Sequence, residues 1–310
     1  MKILLLGHTG FVGKNVAAVL KEAGIKFTGA SKSTGLDLRK MDDTISFLAE
    51  NKPDFIINCA AHVGSLNYVT EQAADVVRDN SYMIMGMYEG IAQSCPAATV
   101  INPIANCAYP ASSNIFIEDE WWNGHLHRSV LSYGATKRLL WTTGESYQMQ
   151  HDIKSIYLLV PNMYGPFDST DPNKAHALNA LISKFVKAEK EQLSEITIWG
   201  TGVAIREWLY AEDFGRIVLQ ILKNPRMIGL SEPLNIAQNF GLSVRELVEV
   251  ISNTFNYSGQ IKWDHNKPDG APKKVMDDRR FKNVFSDFKF LPFDDGIKRT
   301  IEYYESIYPF

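Results

Sequence analysis

Gly7-His8-Thr9-Gly10-Phe11-Val12-Gly13 follows the apolar run of residues 2–6 and leads into a segment with Val16, Val19 and Leu20 on one side. The run reads as a buried strand, and residues 15–22 have the spacing of an amphipathic helix. Between them, Gly7 permits a tight turn and Gly10 lets the backbone approach a pyrophosphate. Gly13 allows close packing of helix on sheet, with the helix N-terminus facing the negative charge. Thr9, Phe11 and Val12 complete the loop. The spacing is GxxGxxG, and a purely structural turn is the competing reading. The order of strand, loop and helix points to a dinucleotide.

Outward from this loop the pattern repeats. Residues 27–30 form a second strand, 41–51 a helix, 54–59 an isoleucine-rich strand, 73–94 a long helix and 99–103 a fourth strand. Such alternation implies an α/β protein with a Rossmann-type doubly wound parallel sheet. Beyond residue 150 the pattern loosens into a strand at 155–159, a loop at 160–173, a helix from about His176 and a short strand at 197–199. A helix over 243–255 opens with Ser243 as N-cap and Glu246 completing a capping box. A Pro/Gly/Lys loop at 267–274 and a last helix at 295–304 follow. We expect a dinucleotide-binding domain over 1–160 and a smaller α/β substrate-binding lobe over 161–310, with the 197–240 region partly returning to the first.

The chain of 310 residues is 45% hydrophobic, enough for a large core, and its net charge of −3 with no basic run gives nucleic acid no footprint. The apolar start is too short for a signal core, and no stretch of about 18 apolar residues suggests a membrane span. Three widely spaced cysteines (Cys59, Cys95, Cys107) lack metal-like pairing and fit reduced thiols in a cytoplasm. No metal is expected.

An NAD-selective site usually places an acidic residue at the end of the second strand. Ser31 and Lys32 stand there instead, suiting the 2′-phosphate of NADP(H), unless Lys32 is simply a solvated lysine. Asp37 could accept from the adenine amino group or cap the following helix. About 120 residues past the glycine loop, Tyr133 and Lys137 sit four apart at the start of a helix, on one face. A phenol is a poor acid–base at neutral pH, and a neighbouring ammonium with an oxidised nicotinamide would lower its pKa. Lys137 could also hold the nicotinamide ribose.

Together these residues resemble the extended short-chain dehydrogenase/reductases, and within them the enzymes that epimerise and reduce GDP-4-keto-6-deoxy sugars. The likeness rests on Gly7–Gly10, Ala60-Ala61-His62-Val63-Gly64, Asn106-Cys107-Ala108-Tyr109-Pro110 and Pro161-Asn162-Met163-Tyr164-Gly165-Pro166. Trp199-Gly200-Thr201-Gly202, Arg206-Glu207, Asp213 and Lys267-Pro268-Asp269-Gly270 complete it. It implies that NADP(H) also meets Leu38, Ala60, Ala61, Asn80 and His176. It implies that Cys107 and His176 exchange protons beside the C4 ketone, with Tyr133 and Lys137 serving hydride transfer. On their residues alone, Cys107 could equally be a small buried hydrophobe and His176 a helix-start residue. Asn162, Lys184, Trp199, Arg206 and Lys267 fall at substrate-contacting positions, although Trp199 could be a core indole and Lys184 replaces the family's usual arginine.

One position departs from the pattern. The family's serine four residues before Tyr109 is Ala105 here, so Asn106 or a water must supply the missing hydrogen bond. The Asp-Glu pair of the 4,6-dehydratases is also absent, replaced by Asn106-Cys107. The expected activity is NADPH-dependent C4 reduction of a nucleotide-linked, GDP-type 4-keto-6-deoxy sugar or 4-keto heptose, with C3/C5 epimerisation. The alternatives are a C4 reductase alone and a non-catalytic NADP-binding sensor or scaffold. The resemblance further implies a homodimer through helices 73–94 and 133–150.

Overall fold

Ile3, Leu4, Leu5 and Leu6 are all buried, the mark of a strand covered on both faces. They form β1 (Ile3–Leu6) in a computed structural model that describes residues 1–225, 232–267 and 269–310. In chain order follow α1 (Phe11–Glu22), β2 (Thr28–Ala30), α2 (Met41–Asn51), β3 (Phe55–Asn58), α3 (Leu66–Glu71) and α4 (Ala73–Ser94). Then come β4 (Thr99–Ala105), α5 (Leu131–His151), β5 (Lys154–Val160), β6 (Asn162–Tyr164), α6 (Ala177–Lys190) and β7 (Glu195–Trp199). The last part holds β8 (Ile205–Tyr210), α7 (Ala211–Lys223), β9 (Leu234–Asn235), β10 (Gly241–Ser243) and α8 (Val244–Phe255). It ends with β11 (Gln260–Asp264), β12 (Lys273–Lys274), α9 (Arg279–Val284) and α10 (Phe293–Ser306).

The main sheet runs β2-β1-β3-β4-β5-β9, every pairing parallel. One face is covered by residues of α2, α4 and α5, including Leu48, Tyr88, Ile91 and Leu140. The other is covered by α1, α7 and α9 through Val16, Phe214, Ile217 and Phe281. This is the doubly wound arrangement expected. Because β2 and β3 flank β1 on opposite sides, the order reverses at β1, and a crevice opens beyond the carboxyl ends of β1 and β3. The loops after β1, β3 and β4 carry the glycine loop, Ala60-Ala61 and Asn106-Cys107 to that edge.

After Val160 the chain leaves this sheet at Pro161, and β6 pairs instead with β8 (Asn162↔Trp208). β8 also meets β10 antiparallel and β12 parallel, with Lys274 opposite Arg206. β7 and β11 form a separate parallel pair. A third core built by α6, α8 and α10 (Phe185, Leu247, Ile301, Tyr304) lies beneath these strands. The expected loop at 160–173 thus contains β6. Helix α1 starts at Phe11 rather than residue 15, because Gly10 is the extended N-cap. The Ser243–Glu246 capping box forms as expected. No helix among the described residues is long and apolar enough to cross a membrane.

Candidate active site

Gly7 turns the chain out of β1 with φ +72°, and a Cβ there would lie 2.7 Å from Ala60 N. A Cβ on Gly13 would come within 2.1 Å of Gly7 O, so α1 can approach the loop only without a side chain. α1 has no side-chain cap and no acidic residue in its first turn, leaving its N–H groups for an anion. Thr9 Oγ1 donates to Ser31 Oγ at 3.0 Å and lies 2.8 Å from Ser33 Oγ, tying the loop to the end of β2. Lys32 beside them is exposed. This cradle fits a dinucleotide carrying an extra phosphate.

Asp37 neither caps α2, whose N-cap is Lys40, nor stands alone. Arg39 takes both its oxygens, Nε on Oδ1 at 2.9 Å and Nη2 on Oδ2 at 2.6 Å. Those bonds hold the Asp37 carboxyl down at about 2. Arg39 also donates to Asp79, which receives Arg78 and the His62 ring as well. Leu38 is buried in the core. Asn80 donates to His62 O and Val76 O and accepts from His62 N, fixing the segment after Ala60 and Ala61. Asn58, Ala60, Asn80, Thr136, Lys137 and Leu140 line a cavity between this segment and α5.

On α5, the Lys137 ammonium sits 5.3 Å from the centre of the Tyr133 ring and donates to Pro103 O at 3.2 Å. Burial pulls Lys137 down to about 8. Burial likewise pushes Tyr133 well above the usual phenol range, helped by Cys107. In the protein alone the direction is opposite to the lowering expected of the ammonium, because desolvation penalises the phenolate. Gly134 lets α5 press onto the Asn106–Ala108 turn: a Cβ there would meet Cys107 O at 2.5 Å. Burial raises the Cys107 thiol, while Lys274 and then Lys137 pull it back. Asn106 is buried, and its Nδ2 has no hydrogen-bond partner among the described residues. Ala105 closes β4, half-buried and without a hydroxyl.

His176 is the N-cap of α6. Its Nδ1 lies 3.1 Å from both oxygens of Asp168, and its N–H reaches Oδ2 at 2.8 Å. Asn179 holds the same carboxylate, donating to Oδ2 at 2.8 Å. Burial would raise Asp168, yet the His176 and Asn179 contacts leave it below the usual carboxylate range. The His176 ring also packs 5.2 Å from Phe11, so it stands next to the glycine loop.

The remaining candidates gather around β8. Arg206 donates to Asp269 O and Ile205 O, each at 2.8 Å, and burial draws it down to about 10, still charged at neutral pH. Lys267 lies 5.1 Å over the Trp199 ring, and Trp199 is 51% exposed, which excludes a core indole. Lys184 donates to Thr197 O on the same strand as Trp199. Asn162 reaches only weakly to Glu207 O at 3.4 Å. Asp269 binds Thr201 through backbone and hydroxyl, and Pro268 lies outside the described residues. No group of His, Cys, Asp and Glu among the described residues could hold a metal.

Sequence reasoning missed Asp168 and Lys274, and named Glu207 in a motif without giving it a role. Asp168 and Lys274 stand close in sequence to singled-out motifs, but only tertiary structure brings them to His176 and Cys107. Glu207 is fully buried and accepts Gln238 N at 2.6 Å and Met276 N at 2.8 Å. Burial outweighs those donors and pushes it up to about 7.

A Rossmann-type sheet, a glycine cradle and a Tyr–Lys pair at one edge define a dinucleotide-dependent enzyme of the extended type. Residues 3–237 match the model of the NAD dependent epimerase/dehydratase family, and the chain belongs to that family. It is 29% identical to GDP-L-fucose synthase 1 of Arabidopsis thaliana, over 98% of this chain and 93% of that one. It is 28% identical to GDP-L-colitose synthase of Yersinia pseudotuberculosis, over 98% of each. Among solved structures, a GDP-mannoheptose C4 reductase from Campylobacter jejuni with NADP bound superposes with a TM-score of 0.84. That pair shares 23% identity over 98% of each chain, a likeness of fold.

Proposed function

We propose that the chain reduces the C4 ketone of a GDP-linked 4-keto-6-deoxy sugar or related 4-keto heptose with NADPH, after inverting C3 and C5. The observation that carries this reading is the juxtaposition of Tyr133, Lys137 and Cys107 at the carboxyl edge of the sheet. His176, braced by Asp168, faces the same glycine loop. The names of the curated relatives supply the substrate class.

Residues Gly7, Thr9, Gly10, Phe11, Val12 and Gly13 would hold the pyrophosphate, and Ser31 and Lys32 the 2′-phosphate. Asp37 and Leu38 would border the adenine, while Ala60, Ala61, Asn80, Lys137 and His176 would line the nicotinamide half. When bound, NADPH supplies the hydride that reduces C4. Tyr133 gives its phenolic proton to the C4 oxygen, and Lys137 orients it. In the epimerisation, Cys107 as thiolate removes a proton from a carbon next to the ketone. The C–H electron pair moves into a C–C double bond and the ketone oxygen becomes an enolate. His176, protonated, returns a proton to the opposite face, leaving thiol and imidazole that exchange a proton through solvent. Asn106 would bond the developing oxyanion in place of the missing serine. Asn162, Lys184, Trp199, Arg206 and Lys267 would hold the nucleotide and diphosphate.

The same reading gives residues 1–160 to the dinucleotide and 161–310 to the sugar nucleotide, with parts of 197–240 returning to the first sheet. It pairs two copies through α4 and α5, where Val77, Tyr82 and Met85 are exposed. It places the protein in a cytoplasm, where the three free cysteines stay reduced. A second reading, C4 reduction alone, is favoured by the buried, raised thiol of Cys107.

One experiment tests both. GDP-4-keto-6-deoxymannose in D2O without NADPH should gain deuterium at C3 and C5, and NADPH should then be consumed. Deuterium uptake without NADPH oxidation would remove the reductase. NADPH oxidation without uptake would leave the second reading, and neither signal would leave a binding protein.

A further inference from the structure

Phe167 stands at φ +74°, a backbone conformation that bulky side chains avoid. Strain of this kind persists only where the surroundings over-determine it, and it gathers at functional sites. Two buried carboxamides hold the turn Gly165-Pro166-Phe167-Asp168 from different helices. From α6, Asn179 Oδ1 accepts the Gly165 N–H at 3.1 Å, and its Nδ2 donates to Asp168 Oδ2 at 2.8 Å. From α1, Asn15 Nδ2 donates to Pro166 O at 2.9 Å. The other hydrogen of the same amide goes to Phe11 O at 3.0 Å, one helical turn back. The Phe167 ring lies between the two ends of the chain, 5.9 Å from Lys14 Nζ and 5.1 Å from the Tyr303 ring of α10.

Asn15 is out of place by composition. The other buried side chains of α1 are Val16, Ala17, Val19 and Leu20, and a buried amide is costly unless its donors are met. Alanine would also suit a helix better. What the amide gains is a reach across to Pro166, at the point where the chain turns toward His176. Two residues on, the Asp168 carboxylate takes the His176 ring at 3.1 Å and the His176 N–H at 2.8 Å. Phe11, whose carbonyl takes the other hydrogen, packs its own ring 5.2 Å from that imidazole. The imidazole is thus braced on one side by Asp168 and on the other by Phe11, and Asn15 bonds to the backbone that carries each brace.

We propose that Asn15 is a positioning residue for His176, setting the Asp168–imidazole pair against the glycine-loop helix through Pro166 and the strained Phe167. It touches neither substrate nor reacting atoms. The catalytic part of this inference rests on the epimerase reading above, but the positioning itself can be measured without substrate.

Asn15→Ser is the sharpest variant. A serine hydroxyl in a helix bonds back to the carbonyl four residues earlier, so it keeps the Phe11 contact and gives up Pro166. Two readouts are taken on full-length protein without NADPH. The first is the Nδ1–H proton resonance of His176 in 15N-labelled protein, shifted downfield because Asp168 is an acceptor-only carboxylate, and identified by its loss in His176→Asn. Asn15→Ser should broaden or abolish it. The second is deuterium uptake at C3 and C5 of GDP-4-keto-6-deoxymannose, which should fall about 10- to 100-fold with KM unchanged, the effect of misplacing a reacting group by about 1 Å. In a His176→Asn background Asn15→Ser should cost almost nothing more, because both changes act through one imidazole.

An unmoved resonance would overturn the proposal whatever the uptake does. Uptake that stays level after the resonance is lost would overturn it too, as would a full further loss in the His176→Asn background, which would make Asn15 a fastener of the two lobes and nothing more. If Asn15→Ser does not fold, Asn15→Ala carries the same measurements. A parent protein that takes up no deuterium would remove the epimerase reading, and the resonance alone would then decide whether Asn15 sets the His176–Asp168 pair.

Discussion

His176 Nδ1 lies 3.1 Å from each oxygen of Asp168, and the same carboxylate accepts the His176 backbone N–H at 2.8 Å. Ring and backbone are thereby fixed together at the mouth of α6. Asp168→Asn keeps the shape but removes the charge and one acceptor. An Asp whose folded pKa is depressed contributes stability above its unfolded value near 4, lost as pH falls through the folded one. The variant should therefore be less stable at pH 7 by roughly 1.5–3 kcal/mol, with the gap closing below pH 4. Thermal melts across pH 3–7 check this. His176→Asn should cut deuterium uptake at the carbon it serves by about 10²–10⁴-fold. A loss of deuterium uptake measured without NADPH would separate this effect from any change at the cofactor site.

Lys137 is shifted in the same direction for a different reason, burial rather than a charged partner. Burial holds its ammonium at about 8, below the 10.5 of a free lysine. Between those values the unfolded chain binds the proton that the folded protein has released, so folding gains stability as pH rises through that window. Lys137→Met removes the titration, and the difference between the two proteins should change by on the order of 3 kcal/mol from pH 8 to 10.5. Urea titrations of the cofactor-free proteins measure it. Parallel stability curves would show that Lys137 keeps an ordinary lysine's proton affinity.

The 2′-phosphate assignment makes a narrower prediction. Lys32 is exposed and joined to no ion pair among the described residues, so its attraction for a phosphate is that of a surface charge. Lys32→Ala should weaken NADPH by roughly 3- to 10-fold and leave NADH unchanged. The difference should shrink as salt is raised from 0.05 to about 0.5 M, because exposed charges are screened. Fluorescence titration with both cofactors reads it. Equal losses for the two would place Lys32 away from the 2′ position.

Much of the first sheet is legible in the sequence because its signals are local. β1 is four consecutive buried residues, and α2 and α4 were expected at the bounds they have, from apolar spacing alone. The second lobe is not, because β6, β9, β10 and β12 are two or three residues long and carry no periodicity of their own. Their pairing to β8 or to β5 is set by tertiary contacts. Within the site, Tyr133 and Lys137 are one helical turn apart and so could be read together. Asp168 and His176, or Lys274 and Cys107, are related only by how loops fold back. Asp37 does not cap α2, because Arg39 two residues on takes both its oxygens.

Ala105 closes β4, half-buried and next to the unpartnered amide of Asn106. If that amide takes over the missing hydroxyl's bond, then restoring the hydroxyl adds little, and removing the amide costs much. Ala105→Ser should raise kcat for C4 reduction by less than about threefold, and Asn106→Ala should lower it by about tenfold, the worth of one net hydrogen bond of about 1–1.5 kcal/mol. If instead water fills the gap, Ala105→Ser should gain about tenfold and Asn106→Ala should change little. The double variant Ala105→Ser/Asn106→Ala then decides: activity near the parent means that the two groups serve the same oxygen, since an added hydroxyl can compensate only for a bond it is able to make. Steady-state NADPH oxidation across substrate concentrations measures all three, and comparing the changes in kcat and kcat/KM separates a bond made in the transition state from one that merely holds the ground state.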